Sequence, residues 1–266
     1  MDVASFKKMP HLSASSILDY LSCGIMYRLA RIEKIPREFI PDALEFGSAI
    51  HRTLADFWLA KKAGHYMPIT ELQQKFESYW TEAAKDNNEI KYKEDKDFET
   101  LLKEGKELLS VYVSSIPDTN FKVLAVEEPI VFELPGVIIP IIGIVDLVEE
   151  DSDGTVVITD HKTAGKSYPI DDVNSNIQMT LYGMGMKQNG YADREILMKF
   201  DTLIKTKIPK FEQYYTSRNS EDEAKLIKKV QLACHGITSQ VFLPTQESWR
   251  CKACQFAKAC DEYLLS

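Results

Sequence analysis

The sequence predicts an α/β fold, with a central mixed sheet flanked by helices. Three observations carry this. The chain opens with apolar residues at helical spacing, changes in the middle to Val- and Ile-rich runs, and then returns to helix between further strands. At 266 residues, with 44% hydrophobic and 27% charged positions, it is long enough to bury a sizeable core. No low-complexity linker or internal repeat divides it. We therefore expect one domain over 1–266: a helical part over 12–116, a sheet-bearing part over 120–218 and a cysteine-bearing part over 219–266.

The elements follow in order. Serines at 13–16 supply oxygen caps for a short helix running to about Cys23. Ala43, Phe46, Gly47, Ile50, Leu54, Phe57 and Trp58 repeat at i, i+3, i+4, i+7, which predicts a long helix from Pro41 to Ala63. Thr70 to Ala84 and Phe98 to Ser114 read as two more helices, and the charged stretch from Asp86 to Asp97 as a solvated bend between them. Phe121 to Leu134, Gly136 to Glu149 and Thr155 to Lys162 favour strands. The turn residues Glu150-Asp151-Ser152-Asp153-Gly154 make the last two of these a hairpin. Asp171 to Asn189 reads as helix, Arg194 to Ile204 and Lys210 to Thr216 as strands, and Asn219 to His235 as a closing helix.

Composition excludes several classes. The first twenty residues lack a basic region followed by a long apolar run, and no stretch approaches the ~18 apolar residues of a membrane span. We expect a cytoplasmic protein with no membrane partner. Five cysteines at 23, 234, 251, 254 and 260 do not resemble a secreted disulfide set, so reduced or metal-bound thiols are expected. The net charge of -8 is unfavourable for a nucleic-acid partner. It is a sum, however, over acidic stretches at 149–153 and 221–223, and it bounds solubility more than it identifies a partner.

The hairpin holds the most informative residues. Asp146 interrupts an apolar strand, and Asp160 and Lys162 end the next one. Strand side chains alternate, so Asp160 and Lys162 share a face, and adjacent strands bring Asp146 beside Asp160. Two carboxylates side by side repel, and a divalent cation between them removes that cost. A lysine beside them can orient a water and stabilise charge developing on a phosphate. Alone, Asp-x-Lys at a strand end reads as a salt bridge. Two helices add to it: Gly47 and His51 lie four apart on one face, with His51 a candidate third ligand, and Gln178 and Tyr182 lie four apart on another. Taken singly, these are a helix histidine, a surface glutamine and a core tyrosine. Glu127, on the strand before the hairpin, is a further candidate for a second ion.

Cys251, Cys254 and Cys260 form C-x2-C-x5-C, enough to wrap a metal centre that either Cys23 or Cys234 completes. Spacing alone leaves zinc and an iron–sulfur cluster both open. Ligation by Cys23 would close a very long loop and remove much unfolded-chain entropy.

In order, G-x-x-x-H at 47–51, G-x-x-D at 143–146, D-x-K at 160–162 and Q-x-x-x-Y at 178–182 resemble the PD-(D/E)xK nuclease superfamily. More closely they are similar to RecB/AddB-type exonucleases and their CRISPR-associated RecB-like relatives. The resemblance spans Leu12 to Cys260 and includes the opening from Leu12 to Cys23. Gly24 departs from the proline that often follows this cysteine, and Asp160 stands where many members carry Glu.

The resemblance implies a restriction-endonuclease-like core and a DNA nuclease dependent on Mg²⁺ or Mn²⁺. The activity it implies is an exonuclease on single strands or ends, serving recombination, repair, phage replication or CRISPR adaptation. His51, Asp146, Asp160 and the backbone carbonyl of His161 would hold one or two ions. Asp146, Asp160, Lys162, Gln178 and Tyr182 would form the catalytic set. Cys23, Cys251, Cys254 and Cys260 would bind a 4Fe–4S cluster joining the N- and C-terminal parts, leaving Cys234 as a small buried hydrophobe. Lacking a helicase motif, the protein would take unwinding or recombination partners as separate chains. Lys199, Lys205, Lys207 and Lys210, interleaved with Phe200, Phe211, Tyr214 and Tyr215, are candidate DNA contacts or else a lysine-guarded sheet edge. Arg218, Lys225, Lys228 and Lys229 read as a solvated helix face. A non-catalytic DNA-binding or assembly subunit keeping the fold and the cluster is the alternative. Such subunits typically lose the acid or the lysine, and both are present here.

Overall fold

The computed structural model describes residues 10–245 and 248–265. Five strands form one sheet in sequence order: β3 (Lys122–Phe132), β4 (Ile141–Glu150), β5 (Val156–Ala164), β6 (Ile196–Ile204) and β7 (Lys210–Thr216). Neighbours are antiparallel except β5 and β6, which are parallel, so the sheet is mixed. The hairpin joining β4 and β5 forms at the predicted turn, where the Asp151 carboxylate accepts from the amides of Asp153 and Thr155. A parallel neighbour needs a crossover. That crossover is α6 (Ile170–Asn174) and α7 (Ile177–Met186).

Helices cover both faces. On one lie α3 (Asp42–Lys62), α4 (Ile69–Ala84) and α5 (Phe98–Ser115). Phe46, Ile50, Leu54 and Trp58, the predicted stripe of α3, are buried there with Phe76, Trp80 and Tyr112. On the other lie α1 (Ala14–Ser22), α7 and α8 (Ser220–Thr238), packing Ile17, Met179, Leu181 and Val230 against Ile130, Val148 and Ile158. A minor two-stranded sheet pairs β1 (Ile40–Pro41) with β2 (Ile90–Lys91), so the charged segment after α4 is not wholly an open bend.

Two expectations change. The helix expected from Asp171 to Asn189 is broken at Ser175, and the Asn176 side chain restarts it by accepting from the Met179 amide. It ends in a π-turn, where Gly190 takes φ +100°. The first helix stops before Cys23, whose extended backbone lets its sulfur cap α2 (Gly24–Tyr27) by accepting from the Met26 amide at 3.5 Å. A π-turn over Arg28–Ile32 follows. The cysteine-rich end folds as α9 (Ser248–Lys252) and α10 (Ala257–Leu265). Ile25 and Leu29 pack on Phe256, with Cys23, Cys254 and Cys260 around them, so N-terminal and C-terminal segments share a small core. Among the described residues, no helix is long and apolar enough to cross a membrane.

Candidate active site

The site sits where two strands part. Antiparallel pairing of β4 with β5 runs from Glu150↔Val156 to Leu147↔Thr159 and stops there. Asp146 and Asp160 come next in that register. Instead of a ladder bond, the Asp146 carboxylate accepts from the His161 amide at 2.7 Å. The fork thus places both carboxylates on one face without leaving the amide orphaned.

Gln178 ties the rest together. Its carbonyl oxygen accepts from the Lys162 ammonium at 3.0 Å, and its amide nitrogen donates to Asp160 at 2.8 Å and to the Tyr182 hydroxyl at 2.7 Å. A primary amide has two donors and one carbonyl, and here each is used in the only sense the partners allow. Lys162 also pairs with Asp160 Oδ2 at 2.6 Å. The i, i+4 spacing on α7 makes the arrangement possible, and Gly143 leaves it room. A Cβ at Gly143 would stand 2.9 Å from the Tyr182 ring. Gly47 is less constrained. A Cβ there would meet only Thr163 Oγ1 at an ordinary 3.7 Å, so this glycine opens the cleft floor and is not required for packing.

Behind Asp146 stand two histidines. His51 Nδ1 lies 3.4 Å from Asp146 Oδ2. His161 projects to the opposite face from Asp160, as expected, and is 2% exposed. Its ring meets Tyr112, whose hydroxyl is 3.4 Å from His161 Nε2 and accepts from the Trp58 indole at 2.8 Å. Neither Trp58 nor Tyr112 is detectable by motif, because in sequence both are ordinary apolar-face residues of amphipathic helices.

The titrations follow from burial and neighbours. Burial favours protonated Asp146, yet hydrogen bonding and charge from His51, with the hydrogen bond from the His161 amide, outweigh it and hold its pKa below the usual carboxylate range. Asp160 goes the other way: burial raises it, Lys162 opposes and the Asp146 charge adds. Burial pulls Lys162 down, but Asp160 dominates and raises it, so the lysine is charged. His51 is raised, because Asp146 overcomes its burial. Burial takes His161 down to about 3, leaving it neutral.

Two cavities flank this array. One, of about 810 Å³, is lined by Gly47, His51, Arg52, Glu127, Lys162 and Thr163. The other, of about 550 Å³, is lined by His11, Ser13, Ser15, Gly143, Gln178 and Tyr182.

The four lysines expected to contact DNA do not act together. Lys199 is a correction. It is 4% exposed and paired with Glu149 at 3.3 Å and Asp201 at 3.8 Å, inside the face opposite the catalytic one. Phe200 is buried too, stacked on Tyr168, so it is not a base platform. Lys205 is half-buried with its ammonium over the Phe46 ring, while Lys207 and Lys210 are exposed. Arg218 is also corrected: its guanidinium is engaged by Thr180, Thr216 and the carbonyls of Val173 and Ser217. Cys234 is partly buried against the main core.

Cys23, Cys251, Cys254 and Cys260 line one cavity of about 400 Å³ together with Met26, Leu29 and Phe256. Burial and the neighbouring cysteine charges raise Cys254 and Cys260. Among the described residues, no three His, Cys, Asp or Glu side chains already stand in a metal-ligating arrangement. The donor chemistry at the strand fork nevertheless suits a hard divalent cation: two carboxylates and an imidazole, with Asp160 Oδ2 buried and met by the Lys162 ammonium at 2.6 Å.

The sequence profile of the PD-(D/E)XK nuclease superfamily matches residues 11–261, nearly the whole chain. The chain belongs to that superfamily. No curated protein matches it in sequence. In fold it is similar to the crystal structure of a candidate exonuclease from Eubacterium rectale, at a TM-score of 0.56 and 14% identity. That match covers 94% of this chain and 87% of the other. A second structure, SSO0001, aligns at a TM-score of 0.38 and 14% identity over 88% of this chain and 90% of its own, too loosely to carry argument. The α/β fold, with its five-stranded mixed sheet between helices, is that of a restriction-endonuclease-like core, and the chain is a nuclease by family.

Proposed function

We propose that this nuclease is an active, Mg²⁺- or Mn²⁺-dependent deoxyribonuclease of the RecB-like kind, acting as an exonuclease on single strands or DNA ends. The observation that carries the reading is the Gln178 clamp, which holds Lys162, Asp160 and Tyr182 in one hydrogen-bonded unit. A charged lysine fixed beside two carboxylates at an open cleft is the preorganised donor that phosphoryl transfer needs.

Asp146, Asp160, His51 and the carbonyl of His161 would hold one or two divalent ions, which supply Lewis acidity toward the scissile phosphate and a more acidic water. Lys162 orients the attacking water and offsets negative charge on the phosphate. Gln178 and Tyr182 keep Lys162 from collapsing onto Asp160 alone. Asp146 keeps its orientation through the His161 amide. Exposed Lys207 and Lys210, with half-buried Lys205, would meet backbone phosphates near the cleft, and a separate helicase or recombination partner would deliver the strand.

We further propose that the four-cysteine cavity takes a 4Fe–4S cluster. Four thiols bordering one cavity are the donor set that such a cluster takes. Its role is to staple α2 to α9 and α10. Cys251→Ser or Cys254→Ser is expected to lose the brown chromophore and most soluble protein. A stable, colourless, fully active variant would contradict the staple.

The activity is tested on single- and double-stranded DNA labelled at either end, with Mg²⁺, Mn²⁺ or EDTA. We expect metal-dependent loss of label in mononucleotide steps from one end, abolished in Asp160→Ala. Metal-independent cleavage, or cleavage surviving that substitution, would overturn the reading.

A further inference from the structure

The cleft carries a cation that the catalytic array does not use. Among the described residues, two lysine or arginine side chains line it, Lys162 and Arg52. Lys162 is committed to Asp160 and Gln178. Arg52 follows His51 on α3, and its side chain stands at the cleft wall with 52% of its surface exposed.

Helix α4 holds it there. The Arg52 guanidinium lies over the Tyr79 ring, 4.0 Å from its centroid. That ring is itself pinned: its hydroxyl donates to Asp56 Oδ2 at 2.6 Å, and the Lys75 ammonium donates to the same oxygen at 3.0 Å. Asp56 is four residues along α3 from Arg52, the spacing at which an acid and an arginine can pair. Tyr79 and Lys75 occupy Asp56, and the guanidinium donates across to Glu82 on α4 at 3.1 Å. The Glu82 side chain is 66% exposed. An ion pair between groups so exposed contributes little. The guanidinium is thus positioned by a fixed ring, while its acceptor is one that a better anion can replace. A phosphate is such an anion, because its oxygens match the parallel N–H donors of the planar fork. Asp146 and Asp160 repel a polyanion, and divalent ions held beside them would offset this only locally.

We propose that Arg52 grips the phosphodiester next to the scissile one, displacing Glu82, and so aligns a single DNA strand along α3. This rests on the nuclease reading above, and its test keeps the two apart. The full-length protein is titrated with a fluorescein-labelled thymidine oligonucleotide in Ca²⁺ across a series of salt concentrations. Arg52→Met keeps the packing on Tyr79 without the charge. It is expected to bind about tenfold more weakly, with the plot of log affinity against log salt shallower by about 0.7, the value of one single-strand phosphate contact. Arg52→Lys is expected to restore the wild-type slope, and Glu82→Gln to bind at least as tightly as wild type. Wild-type affinity and slope in Arg52→Met would overturn the assignment of Arg52 and leave the nuclease reading intact. So would weaker binding at an unchanged slope, which marks a structural role, a slope that Arg52→Lys fails to restore, or weaker binding by Glu82→Gln. No binding by wild type would overturn both.

Discussion

Two carboxylates and a lysine occur twice in this sheet, on opposite faces. On one face Asp146, Asp160 and Lys162 stand at the cleft, and the lysine side chain keeps 25% of its surface exposed. On the other, Glu149, Asp201 and Lys199 are sealed under α3 to α5, and the lysine keeps 5%. The composition is the same and the outcome differs. The first set lies where β4 and β5 separate, so Lys162 borders the open cleft with the two buried carboxylates directly behind it. The second lies where the sheet is continuous, with Lys199 on β6 between its two partners and the Gln213 amide donating to Asp201 at 2.8 Å. Access, set by the fork, separates a reactive constellation from a structural one.

Substitutions in the sealed set should produce the largest change in stability. A buried pair contributes little net stability against an apolar replacement, but removing one partner strands a charge and costs about 3–5 kcal/mol. Lys199→Ala is therefore expected to lower the unfolding free energy by that amount in urea titration. Loss of DNA affinity without loss of stability would instead return Lys199 to the role of a surface contact.

Acid should act next, through His161. Its folded pKa is about 3 against an ordinary value of 6.5, so between those values the unfolded chain carries a proton that the native state refuses. Stability contributed by its neutral form is full above about pH 6.5 and falls as pH drops toward 3, by about 1.4 kcal/mol per unit. A shallower fall in His161→Gln over the same range would bear this out. An unchanged slope would place the acid sensitivity elsewhere.

A smaller effect is expected at Gly143. An added methyl would press on the Tyr182 ring, whose hydroxyl sits in the Gln178 clamp. Gly143→Ala should slow cleavage by about tenfold, the scale of a slight misplacement of positioning groups, while shifting the thermal midpoint by only a few degrees. Gly47→Ala, with only an ordinary contact to Thr163, should change neither by as much.

The comparison also explains what could be read from the sequence. Asp160-His161-Lys162 and Lys199-Phe200-Asp201 are the same pattern reversed, an acid and a lysine two apart on a strand. Alternation says that each pair shares a face, and it does so correctly for both. Which face opens depends on where β4 leaves β5 and on which helices cover the sheet, and neither is local. Spacings within one element carried through: His51 on α3, the Gln178–Tyr182 pair on α7, and the hairpin turn at Asp151 to Gly154. Contacts between distant elements had no signature, as with Trp58 and Tyr112 behind His161. The helix break at Ser175 was missed because Asn176 caps by geometry that composition does not display.

The most direct test sets one lysine against the other. Lys162→Ala and Lys199→Met are compared with wild type for cleavage of end-labelled DNA in Mn²⁺, with EDTA as the blank and folded fraction checked by circular dichroism. We expect Lys162→Ala to be folded and slower by about a thousandfold, the scale of removing a preorganised charge-stabilising donor, and Lys199→Met to cleave at close to the wild-type rate per folded molecule. Equal losses in both, or full activity in Lys162→Ala, would contradict the account.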